Sequence, residues 1–302
     1  MKVCITGQAG FVGAHLATQC SAAGDELVPF EDLDHNPIDV LDADAVHEMF
    51  TRERPEVVYH LAALTHVGES WSAPAEVWRV NTEGTCNVLA AAPTGTRVIV
   101  ISSADTYGAA IGAEPLDECV TTLPLSPYGA SKAAAELLAQ RAARVGTEVV
   151  IARAFNHTGP GQRADFVVPA LAARVVQAET HGNTEVVVGN LDAVRDISHV
   201  ADVVSAYRAL SQHGNSGEIY NVCSGTGTRV RDIAEHFIQA AAIPLELRVD
   251  PALVRPIDIP VLIGDNTKLR SHTGWEPRYT IAQTLDDVLE AARHRVTVPQ
   301  NR

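Results

Sequence analysis

Residues 4–13 read CITGQAGFVG, and they place Gly7, Gly10 and Gly13 where a short apolar run gives way to a helical pattern. Gly7 permits a tight turn, Gly10 lets the backbone approach a pyrophosphate, and Gly13 lets the helix pack closely on a sheet. The amino end of that helix would then face the anion. After the first strand of a βαβ unit, this spacing predicts a dinucleotide-binding turn, and the alternative is a turn that is merely tight.

The first half of the chain repeats this alternation of β-branched runs and alanine-rich helical patterns, which is typical of βαβ units and a parallel sheet. Runs such as 98–101 and 149–151 are apolar throughout, as strands buried on both faces must be. The fold class is therefore α/β, a Rossmann-type doubly wound parallel sheet. We predict strands at 2–6, 26–30, 57–61, 97–102 and 148–152, and helices at 10–23, 44–52, 75–92 and 127–145.

Beyond residue 155 the rhythm changes, with a glycine-rich stretch at 157–162 and an irregular, proline-containing segment after residue 250. This change predicts a smaller C-terminal substrate-binding lobe. We expect residues 1–155 to form the dinucleotide-binding domain, with 197–222 returning to it. Residues 156–196 and 223–302 would then form the lobe.

Composition excludes several classes of partner. The 302 residues include 23 Lys and Arg against 37 Asp and Glu, a net charge of −14 with His neutral, so the surface repels nucleic acid and anionic lipid. The five cysteines lie far apart without a zinc-type grouping, which predicts reduced thiols and no metal site. No apolar run reaches the ~20 residues of a membrane span, and Met1 leads directly into a strand pattern instead of a signal peptide. We expect a cytoplasmic protein without nucleic-acid or membrane partners.

The second predicted strand is followed by acidic residues, and Glu31 can accept hydrogen bonds from the ribose hydroxyls of adenosine. A carboxylate there repels a 2′-phosphate, and the next arginine along the chain is Arg52. Asp39 and Val40 follow where a loop could bracket the adenine with one polar and one apolar contact. These residues favour NAD over NADP, with NADP left open, and the alternative for Glu31 is a solvated turn residue.

Tyr128 and Lys132 are four residues apart in a predicted helix that begins at Pro127, so they share one face. An ordinary phenol has a pKa near ~10, and a neighbouring ammonium favours the phenolate. We therefore expect the pair to move a proton near neutral pH. Tyr and Lys occur at this spacing by chance in many helices, and the glycine turn upstream is what favours the catalytic interpretation.

Ser102 ends the fourth predicted strand and Ser103 follows it, at the carboxyl edge where doubly wound sheets bind ligands. Ser103 can polarise a carbonyl there while Tyr128 donates the proton. The neighbouring Ser102 is interpreted as a buried hydroxyl that satisfies the backbone.

Together these residues resemble the extended short-chain dehydrogenase/reductase family, the group of nucleotide-sugar epimerases, dehydratases and reductases, over almost the whole chain. The marks of the resemblance are Gly7-x-x-Gly10-x-x-Gly13, His60-Leu61-Ala62-Ala63, Asn81-x-x-Gly84-Thr85, the Ser103 loop and Tyr128-x-x-x-Lys132. The resemblance implies a catalytic trio of Ser103, Tyr128 and Lys132. With the residues argued above, the expected contacts of NAD or NADP are Gly7, Gly10, Phe11, Val12, Gly13, Glu31, Asp39, Val40, Leu61, Ala62, Ala63, Tyr128 and Lys132.

Four stretches, at 66–71, 153–162, 188–196 and 255–260, look most like the GDP-4-keto-6-deoxy-D-mannose reductases, close relatives of GDP-mannose 4,6-dehydratase. In a chain of charge −14, an arginine fork is a natural clamp for a diphosphate, and a surface salt bridge is the alternative for any one arginine. The resemblance implies that Asn156, Arg195 and Arg255 contact the diphosphate of a sugar nucleotide, that Phe166 and Val167 line the nucleotide pocket, and that Ser103 contacts the sugar.

Dehydratases of this group carry a glutamate at the position of Asp105, and that glutamate removes the C5 proton and aids loss of the C6 hydroxyl. Asp105 is one methylene shorter and follows Ala104. The resemblance therefore favours simple reduction of the 4-keto group of a nucleotide-linked 6-deoxyhexose. An epimerase or 4,6-dehydratase that retains its NAD, with Asp105 as an acid–base residue, is the first alternative. A non-catalytic, redox-sensing Rossmann protein is the second.

Relatives also pair two helices into a four-helix dimer interface. The corresponding predicted helices, at 75–92 and 127–145, are rich in alanine, and such small side chains permit close packing. A homodimer is therefore expected, and packing of these helices on their own sheet is the alternative.

Overall fold

The structure, a computed structural model, describes residues 1–109, 115–250 and 259–297. The strands are β1 (Lys2–Thr6), β2 (Glu26–Val28), β3 (Val57–His60), β4 (Arg97–Ser103), β5 (Glu148–Ala154), β6 (Asn156–Thr158), β7 (Glu185–Val188), β8 (Val194–His199), β9 (Ile219–Val222), β10 (Gly227–Arg229), β11 (Glu246–Val249) and β12 (Val261–Leu262). The helices are α1 (Phe11–Ala22), α2 (Ala43–Glu53), α3 (Val67–Ser70), α4 (Pro74–Trp78), α5 (Gly84–Ala91), α6 (Pro127–Arg144), α7 (Val167–His181), α8 (Val200–His213), α9 (Val230–Gln239), α10 (Thr267–Thr273) and α11 (Ile281–Thr297). Among these described helices, none is both long and apolar enough to cross a membrane.

Six parallel strands form the main sheet, in the order β2-β1-β3-β4-β5-β9. Every residue of β3 is buried, and so is every residue of β5 after Glu148, as strands covered on both faces require. Helices separate the successive strands of this sheet along the chain. The predicted Rossmann-type, doubly wound α/β fold is therefore confirmed.

Strand β1 lies inside the sheet, with β2 on one side and β3 on the other. The order in which the chain adds strands to the sheet therefore reverses at β1. Thr6 at the end of β1 pairs with His60 at the end of β3, and β4 continues the sheet and ends at Ser103. Ligands of doubly wound sheets bind outside the carboxyl ends of the strands at such a reversal. The glycine turn, the loop after β3 and the turn after Ser103 all follow strands at this edge.

The chain divides into two compact units. The first contains Met1–Phe155, Val203–Val222 and Gly264–Glu276, and the second contains Asn156–Asp202, Cys223–Ile263 and Pro277–Arg302. In the second unit, β8 lies between β10 and β12 and also pairs with β6, while β7 pairs with β11. Helices α7, α9 and α11 bury an apolar cluster there, to which Val175, Phe237 and Leu285 contribute.

Several elements of the first unit differ by one or two residues from their predicted bounds, and two of these differences have a visible structural cause. Strand β2 ends at Val28, two residues early, because the chain then folds back and the Ile38 amide donates to the Phe30 carbonyl at 3.1 Å. The helix predicted at 75–92 is interrupted by a π-helical turn, Arg79–Glu83, which separates α4 from α5.

Candidate active site

The glycine turn after β1 is shaped by three different constraints. Gly7 has a φ of +72°, in the left-handed region, and a Cβ on it would lie 2.9 Å from the Ala62 nitrogen. A Cβ on Gly13 would lie 2.3 Å from the Gly7 carbonyl oxygen, so α1 packs directly on the turn. A Cβ on Gly10 would meet only that same oxygen, at 3.2 Å, and otherwise faces open space. Gly10 therefore lies on the open side of the turn, where a pyrophosphate can approach the backbone.

Helix α1 begins directly after this open side. Its N-cap is Gly10, which supplies no side chain to the amides of the first turn. Phe11 and Val12 form that first turn, and Phe11 packs its ring edge-on against His15 at 5.4 Å between centroids. Amides at a helix N-terminus attract anions, so the turn and this helix end fit the phosphates of a dinucleotide. The contacts of Phe11 and Val12 with a cofactor stay predictions.

A buried chain of hydrogen bonds holds the loop after β3. The Ala62 amide donates to Thr6 Oγ1 at 3.1 Å, and Thr6 Oγ1 lies 2.8 Å from His60 Nδ1. His60 Nε2 lies 3.0 Å from Thr85 Oγ1. Burial lowers the pKa of His60 to about 3, with the Lys132 charge acting in the same direction, so the imidazole is neutral. The sequence marks His60 as part of a motif and predicts no role for it.

The hydrogen-bond donors of this buried network fix the tautomer of His60. The Thr85 hydroxyl donates to the Asn81 carbonyl at 2.6 Å, so it can only accept from the imidazole. His60 Nε2 therefore carries the proton, and Nδ1 accepts from the Thr6 hydroxyl. Because Thr6 then accepts from Ala62, the network orients the Leu61-Ala62-Ala63 segment beside the glycine turn.

Asn81 ties this loop to α6. Its Oδ1 accepts from the Leu64 amide at 2.8 Å, and its Nδ2 donates to the Leu64 carbonyl and to Ser131 Oγ, each at 3.0 Å. Ser131 Oγ in turn donates to the Tyr128 carbonyl at 2.7 Å. One buried amide thus connects the expected cofactor loop to the helix turn that carries Tyr128.

Replacing Asn81 with Ala should destabilise the protein by about 1–3 kcal/mol, because the Leu64 amide and Ser131 would lose a buried partner. Urea denaturation followed by circular dichroism measures the change. Asn87→Ala is the matched control, since Asn87 makes a comparable bond to the Val40 carbonyl at 3.0 Å from a less buried position. Equal losses in the two variants would contradict the role given to Asn81.

Basic and acidic side chains lie close together in the segment that follows β2. Arg52 Nη2 donates to the Glu31 carbonyl at 2.9 Å, and the Glu31 carboxylate lies 3.5 Å from His35 Nδ1. The sequence argument that no arginine stands near Glu31 is therefore wrong, because α2 brings Arg52 back to this strand end. A ribose hydroxyl and a 2′-phosphate would each meet a suitable group here.

The two residues expected at the adenine lie on the segment that leads into α2. Asp39 is exposed, and its Oδ1 accepts from the Leu41 amide at 3.0 Å. Val40 is buried, and it packs so closely on α5 that a Cβ on Gly84 would lie 2.7 Å from its Cγ2. Their contacts with adenine stay predictions.

Tyr128 lies in the first turn of α6, after Pro127 at the first helical position. Ser126 caps this helix by accepting from the Gly129 amide at 3.0 Å. A Cβ on Gly129 would lie 2.6 Å from the Asp105 carbonyl oxygen, so α6 packs directly on the turn after β4. This close approach places Tyr128 beside the Ser103 turn.

The pKa of Tyr128 is raised above the ordinary value of a phenol, chiefly by burial and then by the Asp105 carboxylate, with a hydrogen bond to Ser103 acting against them. The expected lowering by Lys132 is therefore wrong for the protein alone. Lys132 Nζ donates to the Ile101 carbonyl of β4 at 2.8 Å. The phenol keeps its proton at neutral pH.

Lys132 follows one helical turn after Tyr128 and is buried. Burial lowers the pKa of its ammonium to about 8, and the Glu136 carboxylate acts against that effect. The side chain is therefore mostly charged at pH 7, although it lies in the protein interior.

The two serines at the end of β4 have different partners. Ser103 Oγ donates to Asp105 Oδ2 at 3.2 Å and accepts from the Asp105 amide at 3.1 Å. Its hydroxyl must therefore turn from Asp105 before it can donate to a substrate carbonyl. Ser102 Oγ donates to Glu136 Oε1 at 2.6 Å. The interpretation that Ser102 satisfies the backbone is wrong, because its partner is a carboxylate.

In the second unit, two of the residues expected to bind a sugar nucleotide lie on neighbouring strands. Asn156 begins β6 and is exposed, and it pairs with Ile197 of β8. Arg195 lies two residues earlier in β8, and its Nη1 donates to the Val194 carbonyl at 2.9 Å. β-Strand pairing thus brings Asn156 and Arg195 to the same part of this unit.

The other expected substrate residues are placed only in part. Phe166 is the N-cap of α7, and Val167 is its first residue and is exposed. Arg255 lies outside the described residues. The role of all these residues toward a substrate stays a prediction.

Comparison with known proteins gives similarities across nearly the whole chain. A family model described as GDP-mannose 4,6 dehydratase matches residues 4–288. The chain is similar to the GDP-6-deoxy-D-mannose reductase of Pseudomonas aeruginosa, with 38% identity over 98% of each protein. It is also similar to the structure of RMD from Pseudomonas aeruginosa complexed with NADPH, with a TM-score of 0.89, 34% identity, and coverage of 97% of this chain and 99% of the other. The complex of Thermus thermophilus UDP-glucose 4-epimerase with NAD gives a TM-score of 0.86 and 28% identity, covering 98% and 100%.

Proposed function

We infer the function of this chain from its family: the chain belongs to the GDP-mannose 4,6 dehydratase family of extended short-chain dehydrogenases/reductases, as its motifs predict. It is an NAD(P)-dependent oxidoreductase. We propose that it reduces the 4-keto group of GDP-4-keto-6-deoxy-D-mannose. The relative at 38% identity carries the name of that reductase activity.

The observation that carries this proposal is geometric: α6 packs directly on the turn after β4, so that the Tyr128 phenol lies beside Ser103. Burial and the Asp105 carboxylate raise the pKa of this phenol, so it holds its proton at neutral pH. Reduction of a ketone needs an acid that holds its proton before the reaction begins. An epimerase or dehydratase cycle begins with oxidation, so its tyrosine must first accept a proton from a sugar hydroxyl. A phenol that holds its proton beside the Ser103 hydroxyl suits the first chemistry.

The reaction follows from three side chains. The hydroxyls of Ser103 and Tyr128 donate hydrogen bonds to the carbonyl oxygen and polarise it. A reduced nicotinamide, when bound, supplies the hydride to C4. Tyr128 transfers its hydroxyl proton to the carbonyl oxygen, so that an O–H bond forms as the C=O π bond breaks. The Lys132 ammonium stabilises the phenolate until solvent returns a proton.

The substrate's diphosphate would be held by Asn156, Arg195 and Arg255, and its nucleotide would lie against Phe166 and Val167. Arginine forks bind phosphate oxygens in pairs, and a chain with a net charge of −14 needs such local cations for an anionic ligand. We further propose that the base is guanine, on the strength of the named relative alone.

The functional unit would be a homodimer through α5 and α6. Leu137 of α6 is 68% exposed and Trp78 at the end of α4 is 49% exposed, so both apolar side chains are accessible to a second copy of the chain. We also propose a cytoplasmic location, because the five cysteines lie far apart in the sequence without the spacing of a disulfide framework. Light scattering at micromolar concentration tests the assembly, and a mass of one chain would contradict it.

The proposal is tested by incubating the purified chain with GDP-4-keto-6-deoxy-D-mannose and either NADH or NADPH. We expect stoichiometric loss of the reduced-nicotinamide absorbance and a GDP-6-deoxyhexose product with a C4 hydroxyl, identified by NMR. GDP-mannose, incubated with the same protein, should stay unchanged. Loss of water from GDP-mannose without net cofactor consumption would instead establish a dehydratase.

A further inference from the structure

Helix α6 carries three buried functional side chains at a spacing of four residues. Tyr128, Lys132 and Glu136 follow each other along one face, and each is less than a tenth exposed. The first two belong to the expected catalytic trio. Glu136 is a buried acid one turn beyond them, and the reaction proposed above gives it no task.

The Glu136 carboxylate is held by three hydrogen bonds. Its Oε1 accepts from Ser102 Oγ at 2.6 Å and from Arg153 Nε at 2.9 Å, and its Oε2 accepts from Arg153 Nη2 at 2.7 Å. Arg153 is 2% exposed, and its guanidinium lies 4.5 Å from the centre of the Tyr107 ring. A bidentate arginine and a hydroxyl donor fix this carboxylate in place.

Strand β4 connects this cluster to the catalytic residues through three consecutive positions. The Ile101 carbonyl accepts from Lys132 Nζ, the Ser102 hydroxyl donates to Glu136, and the Ser103 hydroxyl is the expected carbonyl donor. The ammonium, the buried acid and the carbonyl donor are thus positioned by neighbouring residues of one strand. Glu136 and Lys132 are buried and lie one helical turn apart, so solvent would screen little of the effect that a change in the charge of Glu136 has on Lys132.

We propose that Glu136 is a positioning residue, which keeps the Lys132 ammonium charged and seated against β4 so that Lys132 can hold the cofactor ribose and stabilise the Tyr128 phenolate. The inference rests on the proposed function for these two tasks of Lys132. Glu136 itself touches neither substrate nor reacting atoms in this scheme.

The other ionisable groups around Lys132 cannot take this part. His60 of β3 is neutral, Arg153 of β5 has the same sign of charge as Lys132, and Tyr128 and Tyr207 keep their protons. Asp105, in the turn after β4, acts on Tyr128 and accepts from Ser103. Glu136 is the charge that raises the pKa of Lys132 against burial. Without it, the pKa of Lys132 would fall below about 8.

The test uses the pH dependence of NADPH binding, which needs no sugar substrate. Glu136→Gln removes the charge and keeps the shape, so the rise in the dissociation constant above neutral pH should begin about one pH unit lower than in the wild type. Ser102→Ala is the matched control, because it removes one hydrogen bond from the same carboxylate and leaves both charges. We expect Ser102→Ala to lower the melting temperature without changing the pH at which the dissociation constant for NADPH begins to rise. Glu136→Asp should show a smaller shift of this pH than Glu136→Gln.

The inference would be overturned if this pH were the same in Glu136→Gln as in the wild type, or if it shifted equally in Ser102→Ala. Glu136→Gln leaves Arg153 buried without its counter-charge and could fail to fold. The double variant Glu136→Gln/Arg153→Met removes both charges together. It should shift the pH dependence in the same direction but by less, because Arg153 repels the Lys132 ammonium that Glu136 attracts. A wild-type pH dependence in the double variant would also overturn the inference. If the wild type binds NADPH but does not reduce the keto sugar, the proposed function fails while this titration still decides the role of Glu136.

Discussion

Tyr128→Phe should reduce kcat for the keto sugar by about 10³-fold or more, since it removes the group that protonates the developing alkoxide. Ser103 can still polarise the carbonyl, but the charged partner of its hydroxyl is the Asp105 carboxylate, whose negative charge opposes loss of the serine proton. The dissociation constant for NADPH should change little, because the phenol ring and the Lys132 ammonium remain. Steady-state kinetics and a fluorescence titration of the same preparation measure the two quantities.

Tyr207→Phe is the matched control for this substitution. Tyr207 is also a buried tyrosine of the first unit, and within the described residues its hydroxyl has no hydrogen-bond partner. Removing that oxygen should leave kcat unchanged and should not lower the melting temperature, because a buried hydroxyl without a partner costs free energy. Turnover in Tyr128→Phe within tenfold of the wild type would remove Tyr128 from the mechanism.

The fold could be predicted from the sequence because its signals are local. The glycine turn spans only a few residues, and the apolar runs that became β3, β4 and β5 each identify a doubly covered strand without reference to the rest of the chain. The bounds of an element could not be predicted where the structure departs from the local sequence pattern. The π-helical turn between α4 and α5 is one such place, because an alanine-rich helical pattern does not reveal a change of hydrogen-bond register.

The supporting contacts of the site could not be predicted, because they join residues far apart in the sequence. Asn81 meets Ser131 across 50 residues, and Arg52 meets the Glu31 carbonyl across 21. Glu136 offered one usable signal, since an acid four residues after Lys132 shares its helix face. That signal becomes specific only when the burial of the face is known.

The pKa of Tyr128 was predicted in the wrong direction for a physical reason. The spacing of Tyr128 and Lys132 identifies the neighbouring cation, but it says nothing about desolvation or about Asp105, which is contributed by a different turn. In the structure these two effects raise the pKa of Tyr128, while the Lys132 ammonium donates to the Ile101 carbonyl. Sequence reasoning therefore identified the participants and missed the balance between them.

Gly13→Ala should cost about 1–3 kcal/mol of stability and should also weaken dinucleotide binding. Alanine is favoured over glycine inside a helix by about 1 kcal/mol, so propensity alone predicts a gain. The added Cβ, however, would lie 2.3 Å from the Gly7 carbonyl oxygen and 2.7 Å from Gln8 Cα. These are backbone atoms of the turn, so α1 or the turn itself must shift.

Gly10→Ala separates this loss of fold from loss of the site. Gly10 has φ −74° and ψ 171°, an extended conformation that alanine adopts, and its Cβ would meet only the Gly7 oxygen at 3.2 Å. Stability should therefore stay within about 1 kcal/mol of the wild type. The new methyl group would project into the open side of the turn, where a pyrophosphate must approach the backbone, so NADPH affinity should fall sharply. Urea denaturation and NADPH titration of both variants give the comparison. If Gly10→Ala bound NADPH as tightly as the wild type, the dinucleotide phosphates would not lie at this turn.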